Sequence, residues 1–173
     1  MGKKGIQKMK NWKKLYIIIG IAFMVTGCGN KGKDTVKDDI IHYVEQTNEI
    51  ADLKNQAILT YNGICSDAGN MDKEEIVECL KTEVLDKLED YEMELSKVTV
   101  DTQELEELKN TLQQIVAEQK KDVQATMEAL EGYEPDVIDD INLSIEENKK
   151  AYEEYMTQLK EYAQKYNIQI TEE

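Results

Sequence analysis

The chain has 173 residues, with 36 acidic and 21 basic side chains and a formal net charge of -15. Every base is lysine, and one proline and nine glycines leave little to interrupt long helices. The charge opposes phosphate backbones and the lack of arginine removes the bidentate phosphate fork, so nucleic-acid recognition is excluded as a function class.

At the N-terminus Lys3, Lys4, Lys8, Lys10, Lys13 and Lys14 form a basic stretch without an acid, followed by an apolar run from Leu15 to Val25. The run is too short to span a hydrocarbon core of about 30 Å as a helix. Its length and basic flank instead fit the h-region of a secretory signal. It closes on Val25-Thr26-Gly27-Cys28, an aliphatic residue, two small residues and a cysteine. This resembles the lipobox of bacterial lipoprotein precursors.

The resemblance implies a diacylglyceryl thioether on Cys28, cleavage between Gly27 and Cys28, and Cys28 as the mature N-terminus. Two acyl chains suffice for stable anchoring, where one is marginal. The expected location is the extracytoplasmic face of the cell membrane. An uncleaved N-terminal anchor with a coincidental cysteine is the alternative. The expected organisation is a signal peptide over 1–27, a lipidated cysteine and flexible tether over 28–39, and an acidic helical bundle over 40–173. Removing 1–27 takes away six lysines and no acid, so the remainder carries 36 acids against 15 lysines. Trp12 and Phe23 leave with it, and the core must be built from Leu, Ile, Val, Met, Ala and Tyr.

From Ile40 onward apolar residues return every three or four positions, the helical period. Ile40, Tyr43, Val44, Ile50, Leu53, Ala57, Ile58, Tyr61 and Ile64 form the first stripe. Residues 66–72 interrupt it, and Asp72 with Glu75 has the spacing of a capping box opening a second helix. The second stripe is Ile76, Leu80, Val84, Leu88, Tyr91, Leu95 and Val98. Asp101 or Thr102 caps a third segment faced by Leu105, Leu108, Leu112, Ile115, Val116, Val123, Met127 and Leu130, and Gly132 stops it. Pro135 suits the first turn of a fourth.

In that fourth segment Ile138, Ile145, Tyr152, Leu159 and Tyr166 recur every seven residues, with Ile141, Asn148, Tyr155 and Tyr162 in the second seam position. Asn148 is either a buried amide that fixes register or, the reading preferred here, a boundary residue on a slightly rotated helix. Four amphipathic segments joined by short turns predict an all-α, antiparallel up-down four-helix bundle, with elongated hairpins or a three-helix bundle as alternatives. In the up-down order the turns at 66–72 and 132–136 meet at the membrane-distal tip. Asp67, Asn70 and Asp136 are therefore the candidate partner-binding residues, since loops are where function concentrates. Heptad seams also serve dimers, so the oligomeric state stays open.

Cys65 and Cys79 flank the tip turn, and outside the cytoplasm they are either bridged or buried as reduced thiols. His42 is the sole histidine. With Asp39 it shares a helix face, but a di-metal bundle needs the Glu-x-x-His unit twice. Cys65 and His42 stand at opposite ends of one helix, too far apart for a nucleophile pair. The acidic runs Glu104, Glu106, Glu107 and Glu146, Glu147 read as solvated faces, and none has the ligand spacing of a calcium loop. No metal, cofactor or enzymatic activity is expected.

The lipobox, short tether, acidic helices and closing Ala163-Gln164-Lys165-Tyr166-Asn167-Ile168 together resemble the small helical lipoproteins of low-GC Gram-positive bacteria. That resemblance adds no activity; the lack of catalytic chemistry, together with a lipid anchor and a rigid helical spacer, points to a non-enzymatic interaction or structural module at the cell envelope that faces a protein partner. The alternative is a lipoprotein that binds a small ligand between helices near Tyr152, Tyr155, Tyr162 and Tyr166.

Overall fold

The structure is a computed structural model that describes residues 23–27, 35–132 and 137–172, with side chains over 35–132 and 137–171. Its elements in chain order are β1 (Phe23–Gly27), α1 (Thr35–Asp67), α2 (residues 73–97), α3 (Gln103–Gly132), α4 (Val137–Lys165) and β2 (Ile168–Glu172). The all-α class read from the sequence holds, as a bundle of four helical rods among the described residues.

Consecutive rods alternate in direction. Near its start, α1 meets the end of α2, as Gln46 clips the backbone of Thr99. The start of α2 reaches the end of α3, where Lys73 Nζ donates to the Glu131 carbonyl at 3.2 Å. Tyr43 near the start of α1 bonds Tyr155 near the end of α4.

Helix α1 starts at Thr35, so residues 35–39, expected in a flexible tether, are helical. Asp39 is the reason this start is held. Its carboxylate accepts the N–H of Asp101 at 3.0 Å and of Thr102 at 2.8 Å, satisfying donors at the entry to α3 that no intrahelical carbonyl reaches. Thr102 stands at the N-cap, its carbonyl accepting the Glu106 N–H at 3.1 Å, and Asp39 answers the N–H groups of Thr102 and the residue before it. Asp72 does occupy the N-cap of α2 with extended backbone, but its side chain makes no capping hydrogen bond.

The second rod is not uniform. Between the α-helical pieces Lys73–Cys79 and Asp86–Lys97 lies a π-helical segment, Leu80–Leu85, in which Asp86 N–H donates to the Lys81 carbonyl five residues back. The cause is in the stripe. Ile76, Leu80, Val84 and Leu88 are spaced by four three times running, which at 3.6 residues per turn drifts about 40° per step. The wider π turn absorbs the drift, and all four side chains are at most 1% exposed.

The sequence pattern contains no strand, yet β2 follows α4 and pairs antiparallel with β1, Phe23 opposite Glu172 and Gly27 opposite Ile168. Asn167 makes the transition with φ 57, the left-handed conformation that ends helices and that asparagine tolerates. Ile168 and Ile170 turn inward at the two-residue period of a strand. Among the described residues no helix is long and apolar enough to cross a membrane.

Candidate functional site

The interior is divided. One apolar cluster fills the end bearing the 68–72 turn, from Ala57 to Cys65 on α1, Ala68 in the turn, Ile76 to Leu88 on α2, Val123 to Leu130 on α3 and Ile138 to Ile145 on α4. The other fills the opposite end, with Ile40 to Val44, Tyr91 to Val98, Leu105 to Val116, Tyr155 to Ala163 and β2. Between them, on three of the four rods, the inward positions are polar: Lys54 on α1, Gln119 and Asp122 on α3, and Asn148 on α4.

Heptad spacing puts these residues there. On α1 the buried series Ile40, Thr47, Lys54, Tyr61 advances by sevens, and on α3 so does Leu105, Leu112, Gln119, Thr126. Tyr61 and Thr126 meet across the bundle, with 3.2 Å between hydroxyl oxygens. Asn148 Nδ2 donates to Asp122 Oδ2 at 2.7 Å, and Ser144 also bonds that carboxylate. Burial pushes the Asp122 carboxyl up, and these hydrogen bonds pull it partly back. Asn148 is therefore the buried register-fixing amide and not the boundary residue preferred from the sequence.

Lys54 stands apart from this pair. It is 3% exposed, and its Nζ lies 3.8 Å from the centroid of the Tyr152 ring, a cation–π contact. No carboxylate among the described residues pairs with it, and burial alone pushes its ammonium down to about 7. The buried Oε1 of Gln119 likewise has no hydrogen-bond partner. Tyr43 and Tyr155 share a 2.9 Å hydrogen bond, and burial raises both phenols. A layer of this kind can hold a polar ligand by hydrogen bonds and charge.

Apart from Asn148, Tyr152 and Tyr155, the residues singled out from the sequence lie elsewhere. Cys28 and Asp136 fall outside the described residues, and Gly27 is the last residue of β1. Asp67 and Asn70 are exposed at the tip, where Asn70 Nδ2 donates to Asp67 Oδ1 at 2.6 Å. Cys65 and Cys79 are free thiols, so the bridge held open between them is not formed. Cys65 packs in the core with its thiol pushed up to about 12 by burial, while Cys79 sits half-buried at the edge of the same cluster.

His42, Glu104, Glu106, Glu107, Glu146 and Glu147 are exposed. Among the described residues no group of histidine, cysteine or carboxylate side chains is placed to hold a metal ion. Of the tyrosines, Tyr155 and Tyr162 are buried and Tyr152 and Tyr166 half-buried. Lys54 and Gln119 escape the sequence pattern because they are polar at seam positions that an apolar stripe does not mark. The seven-residue spacing from Ile40 and Tyr61 was the signal that reaches Lys54. No family model, curated protein or solved structure matches the chain.

Proposed function

We propose that this chain is a lipid-anchored, extracytoplasmic binding module of the cell envelope that acts through a protein partner and without catalysis. The observation that supports it is the order of Val25-Thr26-Gly27-Cys28 behind a basic, then apolar leader, with a helical bundle starting at Thr35. A rigid bundle carries its distal turn about 50 Å from the start of α1, whose 33 residues rise about 1.5 Å each. The exposed Asp67 and Asn70 are there to meet a partner. Cleavage after Gly27 separates β1 from β2, so the strand ribbon belongs to the uncut chain.

Cross-linking in intact cells, followed by purification and mass spectrometry, tests the reading, with Cys28→Ala as the mislocalised control. The expected result is a partner captured by the native chain, lost with Cys28→Ala, and weakened by serine at Asp67, Asn70 and Asp136. A bundle that returns alone from efficiently cross-linked membranes contradicts it.

A second reading, a small-ligand-binding lipoprotein, is favoured by one observation. The interior near Tyr152 and Tyr155 contains an unpaired buried lysine.

A further inference from the structure

We infer that the mid-bundle polar layer is an internal binding site for a small carboxylate with a hydrogen-bond donor beside the carboxyl group, the pattern of a 2-hydroxy acid. The inference stands on the interior of the bundle and is independent of the lipid anchor. It gives a ligand class to the second reading above.

Three observations carry it. The first is Lys54. In a chain with 36 carboxylates, Lys120 on α3 is answered by Glu92 at 2.7 Å and Glu89 at 3.8 Å on α2. Lys54, the lysine buried to 3% exposure, has none and meets only the face of Tyr152. An ammonium taken out of water is costly unless an anion or acceptors answer it, and a ring face answers one side.

The second is Gln119, whose buried Oε1 is an acceptor with no donor. The hydrogen bond between Tyr61 and Thr126 sets the register of α1 against α3, two rods that run in the same direction. Lys54 and Gln119 each lie seven residues earlier, about 10.5 Å back along both rods, and so share a level. A carboxylate there accepts from Lys54, and a hydroxyl on the neighbouring carbon donates to Gln119. The apolar clusters resume within a turn or so on either side, which limits the ligand to a few heavy atoms.

The third is a way in. Helices α1 and α4 are joined by long side chains, Tyr43 to Tyr155 and Lys54 to Tyr152, with little close approach of their backbones. Opening this seam costs the Tyr43–Tyr155 bond outside the layer, whereas opening the α3–α4 seam breaks the bond between Asp122 and Asn148 within it.

The test uses the full chain in detergent at constant ionic strength, titrated with sodium lactate, sodium propionate and methylammonium chloride. Unfolding is followed by circular dichroism and binding by calorimetry. Lactate is expected to raise Tm in a saturable way. Propionate, lacking the donor, is expected to bind about fivefold more weakly, the worth of one hydrogen bond, and methylammonium to do nothing. Lys54→Met is expected to keep the helical spectrum and lose lactate binding, and Gln119→Leu to bring lactate down to propionate. No saturable effect of lactate, or lactate binding retained in Lys54→Met, overturns the site. Equal binding of lactate and propionate overturns the assignment of the donor.

Discussion

Asp39 closes the end of the bundle that carries the α2–α3 turn, and it does so with one carboxylate shared between two backbone N–H groups. Hydrogen bonds to a charged group contribute about 1.5–3 kcal/mol, and truncation leaves two part-buried donors unanswered. Asp39→Ala is therefore expected to destabilise the bundle by about 2 kcal/mol in urea unfolding, with Asn restoring part of it. A loss below about 0.5 kcal/mol would mean that water serves these donors equally well. Gln46 makes a parallel clip to Thr99, but as a neutral group it should contribute about half as much.

Lys54 has the opposite effect on stability. Its ammonium is lowered from an ordinary 10.5 to about 7 in the fold, so between these values the unfolded chain holds a proton that the folded chain lacks. Stability therefore rises with pH above 7 and is flat, at its lowest for this group, below 7. Cys65, whose thiol is raised from 9.0, and the raised tyrosines Tyr43 and Tyr61 act in the other direction above about pH 9. Between pH 7 and 9 the native chain is expected to gain on the order of 1–3 kcal/mol. Lys54→Met is expected to be more stable at pH 6 and to lose that gain. A Lys54→Met chain that still stabilises over this window would assign the effect to another group.

At the scale of elements, the π segment of α2 is the sequence's answer to a stripe whose period is four. Thr82 is exposed within it, and removing one residue there turns the spacing into four, three, four, which an α-helix accommodates. Deletion of Thr82 is expected to preserve cooperative thermal unfolding by circular dichroism. Deletion of the equally exposed Glu118 in α3 rotates Gln119 and everything after it by about 100° and is expected to abolish that transition. Equal damage from both deletions would show that the π turn has a role beyond register.

Much of the element structure was legible. The stripes located the rods, and Gly132 ends α3 where expected. What escaped was set by long-range partners. The N-terminal extension of α1 depends on Asp39 reaching residues 101 and 102, and the β ribbon pairs segments more than 140 residues apart. Neither leaves a local periodicity. The polar layer is a seven-residue repeat that an apolar stripe does not mark, because Thr47, Lys54 and Gln119 are polar, while the apolar Ile50 and Leu53 are only half-buried.

At the scale of the whole molecule, two apolar clusters secure the ends of the bundle and a polar layer separates them. The ends supply stability, and the middle supplies specificity of register through Asn148 and Asp122. The turn between α1 and α2 presents the polar side chains Asp67 and Asn70, and the proposed reading puts the anchor on Cys28. Partner binding at the tip and a small ligand at the centre are compatible, since a ligand that tightens the middle rigidifies the rods joined by the turn.

The account turns most directly on the state of Cys28. Intact mass measurement of the full-length product, expressed in a Gram-positive host and extracted from its membranes, reads that state without knowledge of any partner. The account predicts a chain that begins at Cys28 and carries the added mass of a diacylglyceryl group, with Cys28→Ala retaining residues 1–27. A membrane-extracted native chain that retains residues 1–27 with an unmodified Cys28 would contradict it.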